Sequence, residues 1–128
     1  MKKRVLALLG LCITTTLLLV ACGTTTADSG NAANQVHMDN TSFTQLAITI
    51  HKGDSITLVS DTIIGHTIAN GTWKDGSAQP GRDSGAPAIN NITIGGNNSG
   101  SVGPFNTAGT YKLYCTVHSG MNLTVIVN

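Results

Sequence analysis

Charge is scarce in this sequence. Only 10% of its 128 residues are charged, and the formal net charge is +1. That is too little basic charge for a protein that holds nucleic acid through its phosphates, so nucleic acid is excluded as a partner. No long run of like charge is present, and 41% of the residues are hydrophobic, which excludes a disordered chain. Cysteine is sparse as well: Cys12, Cys22 and Cys115 form neither a CxxC pair nor a disulfide framework. No helical period persists over a window of about eleven residues, and no internal repeat is found. The length leaves room for one domain.

What is present divides into two parts. Lys2, Lys3 and Arg4 precede an apolar run over residues 5–20. The run is short and broken by Thr14, Thr15 and Thr16, which fits a secretory signal better than a membrane-spanning helix. It ends in Leu19-Val20-Ala21-Cys22, which resembles a bacterial lipobox. Residues 1–21 are therefore expected to be a lipoprotein signal peptide, and Cys22 is expected to carry lipid as the first residue of an extracytoplasmic, membrane-anchored protein. More than one acyl chain would make that anchor stable. Residues 22–34 are small and polar and read as a flexible tether, with an end-to-end distance on the order of 20 Å.

Without the signal the arithmetic changes. Four basic residues (Lys52, Lys74, Arg82, Lys112) face six aspartates, so the remaining chain is mildly acidic. One thiol, Cys115, is left without a partner in a chain expected to reach an oxidising compartment. Such a thiol is a liability unless it is buried or capped by a metal.

Residues 35–128 read as β. Phe43, Leu46, Ile48 and Ile50 alternate with polar and small positions, and residues 55–59 form a second candidate strand after the Lys52-Gly53-Asp54 turn. His66-Thr67-Ile68-Ala69 is a third. Residues 74–87 carry three glycines and two prolines and read as a long loop. Strand character returns at 88–94, 110–115 and 123–127, with the Gly95–Gly100 stretch as a connection. Short strands punctuated by turns predict an all-β sandwich or barrel. Tyr111 is expected to pack with its hydroxyl bonded to backbone at a strand corner, and Trp73 to pack or anchor a loop.

The segment Tyr114-Cys115-Thr116-Val117-His118-Ser119-Gly120-Met121 holds the chemistry. A thiolate at a strand end, with an imidazole and a thioether in the following turn, can aim at one centre. Together they form a soft ligand set that favours copper. A fourth ligand must come from His37, His51 or His66. His51, beside a turn, reads as a solvated strand end, and His37 as a residue apart from the centre.

These residues resemble the cupredoxin (type I blue copper) family over roughly 35–128. The Tyr111, Tyr114, Cys115 approach is similar to plastocyanin, and the two-residue spacings around His118 are most similar to amicyanin. Gly65-His66-Thr67, with His66 lying 49 residues before Cys115, matches the family's upstream ligand. The resemblance implies a Greek-key β-sandwich of the cupredoxin type and one copper per chain, held by His66, Cys115, His118 and Met121. It implies electron transfer by Cu(II)/Cu(I) cycling and not an enzyme, and it makes the His118 edge the electron port. A monomer exchanging electrons with membrane-associated donor and acceptor proteins is expected. Two positions depart from the family: Thr67 stands where asparagine often ties the ligand loops together, and Val117 stands where proline is common. A copper storage or delivery module is the alternative, but such modules show exposed methionine or histidine clusters, and only Met38 and Met121 remain here. A thiol enzyme would give Met121 no role and lacks a residue to orient His118. A purely structural sandwich leaves the unpaired Cys115 unexplained.

Overall fold

The computed structural model describes residues 32–128. The expected signal peptide, the lipid-bearing Cys22 and tether residues 22–31 lie outside the described residues. Residues Ala32–Asn34 form a single 3-10 turn that belongs to the folded body, because Asn34 is buried and its amide donates to the Asp54 carboxylate at 3.2 Å.

Nine strands follow: β1 (Gln35–Met38), β2 (Ala47–Ile50), β3 (Ile56–Ser60), β4 (His66–Lys74), β5 (Ser77–Pro80), β6 (Ile92–Ile94), β7 (Ser99–Val102), β8 (Gly109–Cys115) and β9 (Asn122–Val127). There is no α-helix among the described residues. One sheet runs β1-β3-β7; the other runs β2-β9-β8-β4-β5, with β6 also paired to β4. Two pairings are parallel, β1 with β3 and β2 with β9, so the chain crosses between sheets instead of meandering. The expected all-β Greek-key sandwich is what the chain forms.

Alternation builds the core. In β9, Leu123, Val125 and Val127 face inward while Thr124 and Ile126 face outward; β3 does the same with Ile56, Leu58 and Ser60. Their partners across the sandwich are Val36, Met38, Ile68, Phe105, Tyr111 and Leu113, all essentially inaccessible to water.

Four expectations are corrected. The long loop at 74–87 is instead a hairpin over its first part: β4 continues to Lys74, and Asp75 (φ 50°) and Gly76 (φ 75°) make a two-residue turn into β5. Two positive φ values at an Asp-Gly pair match the twist of the flanking strands, and this local turn outweighs a glycine- and proline-rich composition. The strand expected over 88–94 shortens to β6, because Asn91 takes φ 53° and breaks the extended run. The Gly95–Gly100 connection gives rise to β7, which pairs antiparallel with β3 despite having Val102 as its one apolar residue. Finally, Leu46 does not join the core. Its carbonyl accepts the Thr124 N–H at 2.9 Å, but its side chain is 76% exposed at the start of an edge strand.

Tyr111 behaves as expected. Its hydroxyl donates to the Thr107 carbonyl at 2.7 Å, and its ring stacks on Phe105. Gly85, at φ +85°, lets the preceding loop close over that hydroxyl, where a Cβ would come within 3.1 Å. Tyr111→Phe is expected to cost about 1 kcal/mol, the net value of one hydrogen bond. Urea denaturation should show a lower midpoint with an unchanged slope; an unchanged midpoint would show that the hydroxyl contributes nothing.

Candidate metal centre

Register brings distant residues together. β4 and β8 pair antiparallel with Ile68 opposite Cys115. His66 lies two residues before Ile68, on the same face of the strand, so its ring reaches the thiol at the end of β8. The chain then turns from Cys115 to Met121. The Cys115 N–H donates to the Met121 carbonyl at 3.0 Å, and the Met121 N–H donates to the His118 carbonyl at 3.2 Å. Gly120 takes φ +81° to complete this reversal, a conformation that costs glycine least.

The result is a compact donor cluster. Cys115 Sγ lies 3.4 Å from His118 Nδ1 and 3.9 Å from His66 Nδ1, and the three donor atoms all fall within 4.8 Å of one another. The two imidazoles meet edge to face, with centroids 4.9 Å apart. Cys115 is free and fully buried; His66 and Met121 are buried; His118 is half-buried beside the exposed Val117. Among the described residues, His37 and His51 stand apart. His37 Nδ1 meets the Asp61 carboxylate at 2.9 Å on the surface, and the largely exposed His51 lies 3.8 Å from Asp54.

These donors fit a metal. Bonds of about 2.0–2.3 Å to nitrogen and sulfur in a roughly trigonal plane set donors about 3.5–4 Å apart, close to the separations seen. Burial holds the His66 imidazole below its usual pKa, and the neighbouring His118 adds to this, while Asp39 partly offsets it through its backbone and its charge. A neutral ring keeps a lone pair available to a metal.

The chain matches the family model described as copper binding proteins, plastocyanin/azurin family, over residues 30–128. It belongs to that family. Copper is accordingly its cofactor, with one site per chain. The fold is similar to that of amicyanin from Paracoccus versutus, with a TM-score of 0.59 and 24% identity over 80% of this chain and 87% of that one. It is also similar to the novel purple cupredoxin from Nitrosopumilus maritimus, with a TM-score of 0.56 and 20% identity over 73% of this chain and 98% of that one. No match was found among curated proteins.

The two departures from the family acquire a structural reading. Thr67 links the ligand-bearing segments through its backbone, its carbonyl accepting the Thr116 N–H at 2.8 Å. Val117 projects outward and is 60% exposed. Sequence reasoning missed the contacts of Trp73 and Asn122 at this site. Their partners lie 42 and 49 residues away, and no local spacing signals them.

The lowered pKa of His66 has a consequence for stability. The unfolded chain binds a proton on this residue more readily than the folded chain, so the associated stability is present above the unfolded value near 6.5 and is lost as pH falls below it. The metal-free protein should therefore show a lower urea midpoint at pH 5 than at pH 7, and His66→Asn should flatten that difference. An equal slope in the variant would refute this assignment.

Proposed function

We propose that the protein is a membrane-tethered, extracytoplasmic electron carrier in which His66, Cys115, His118 and Met121 hold one type I copper. The observation that supports this most directly is the convergence of two imidazole Nδ1 atoms on a buried, unpaired thiol, with a buried methionine closing the same turn. Bound copper supplies a one-electron couple between Cu(II) and Cu(I). The chain supplies a donor set that suits neither state fully: two imidazoles and a thiolate with a weak thioether. Because Cys115 and Met121 are tied by a backbone hydrogen bond, and His66 is fixed in a strand, the donors keep their positions as the charge changes. His118 is the donor with an edge toward solvent, and it serves as the port.

The alternative readings lose support. Met38, the other methionine of the folded body, is fully buried and offers no exposed cluster for metal storage or delivery. A thiol enzyme would need substrate to reach Cys115, which has no accessible surface. The tether and anchor rest on the basic Lys2-Lys3-Arg4 start, the apolar run and the Leu19-Val20-Ala21-Cys22 motif.

Adding Cu(II) to the purified chain should produce intense visible absorption from thiolate-to-copper charge transfer, and Cys115→Ser should abolish it. A colourless parent, or a variant of equal colour, would sink the blue-copper reading. Met121→Leu should keep the colour and raise the reduction potential, since a donor to Cu(II) would be lost; a lowered potential would count against Met121 as a copper ligand. For the anchor, Cys22→Ala should move the protein from the membrane fraction to the soluble one, and retention on membranes would rule out lipidation.

A further inference from the structure

The chain's one tryptophan is built into the wall of the metal centre. The Trp73 Nε1–H donates to the Cys115 carbonyl at 2.8 Å, and its ring meets Tyr114 edge-on. Asn122, the residue after Met121, grips the Trp73 backbone on both sides. Its Oδ1 accepts the Trp73 N–H at 2.6 Å, and its Nδ2 donates to the Trp73 carbonyl at 3.0 Å.

The Cys115 carbonyl and the Thr116 N–H belong to one peptide plane. The first is held by the Trp73 indole, the second by the Thr67 carbonyl at 2.8 Å. A peptide plane bonded at both its polar groups cannot rotate about the Cα–C bond of Cys115, and that rotation is the soft motion that would swing the ligand turn relative to the thiol. Packing alone does not demand an N–H at this place. A phenylalanine would fill the space but leave the carbonyl short of a partner.

We propose that Trp73, locked by Asn122, is a positioning residue of the metal centre that clamps the Cys115–Thr116 peptide and so fixes the thiolate relative to His66. In this chain the clamp makes the tie that the side chain of residue 67 does not. The proposal rests on the copper reading above. The indole N–H also presents the positive end of its dipole to the Cys115 peptide, which favours the more electron-rich state of the site. Its removal should therefore lower the potential.

The test uses the full chain in four forms: parent, Trp73→Phe, Asn122→Ala, and the chain with β-(3-benzothienyl)alanine at position 73, which keeps the ring shape and removes the N–H. After loading with Cu(II), the benzothienyl form should show an altered intensity ratio among the visible charge-transfer bands and a lower potential than the parent. Trp73→Phe and Asn122→Ala should move both in the same direction. A spectrum and potential identical to the parent in the benzothienyl form would overturn the proposal and leave Trp73 as packing. A second measurement needs no metal. In the metal-free chain, the indole N–H resonance should exchange slowly with solvent and lose that protection in Asn122→Ala. An indole proton that exchanges as fast as that of free tryptophan overturns the clamp. A parent that stays colourless overturns the copper reading instead, and the exchange result still judges the clamp.

Discussion

The pairing of β4 with β8 is the constraint on which the site depends. It sets Ile68 against Cys115, and this one registration brings an imidazole to a thiol across 49 residues of sequence. A slip of one residue would turn the thiol to the outer face of the sheet and His66 away from it. The register is protected from both sides. β8 continues into six paired residues with β9, and the inward positions Tyr111, Leu113, Leu123 and Val125 would all be exposed by the same slip. The hydrophobic pattern that folds the sandwich is thus also what aligns the donors.

Burial then divides the donors into two kinds. His66, Cys115 and Met121 are sealed in the interior, and His118 alone keeps an edge near water. Sealing protects the unpaired thiol from oxidants and from other thiols. It also removes water that would otherwise rearrange around a changing charge. The ligand turn is held by backbone bonds at Cys115, Thr116 and Met121, so the exposed Val117 can vary without releasing a ligand. Its departure from proline is structurally inexpensive for that reason.

Chemistry was legible in the sequence where the residues are scarce. An unpaired Cys115 with His118 and Met121 at two-residue spacings points to a soft metal site before any fold is known, because few other arrangements explain the thiol. Strands were legible where alternation is strong, as in β3, β8 and β9. They were not where pairing supplies what side chains do not: β7 has one apolar residue and exists because β3 offers it an edge. β5 was hidden by its composition, although the Asp75-Gly76 turn that makes it was present to be read. Leu46 misled in the other direction, since its place in the alternation says nothing about whether an edge is covered. Trp73 and Asn122 lie furthest from legibility. Each is an ordinary residue locally, and their function exists only in hydrogen bonds that span the sheet.

β1 joins the Gly53-Asp54 turn to the surroundings of the metal centre. Asn34 bonds to Asp54 and Ser55, at the end of the sandwich where Phe105 also closes against the Gly53-Asp54 turn. From there β1 runs four residues, about 13 Å, alongside β3 to Asp39, whose backbone and charge act on His66. Asn34 and the Gly53-Asp54 turn therefore lie at the other end of β1 from the metal centre. Val117, next to the half-buried His118, is exposed. The low charge of the chain imposes little long-range orientation on a redox partner and leaves short-range apolar contact to select the face.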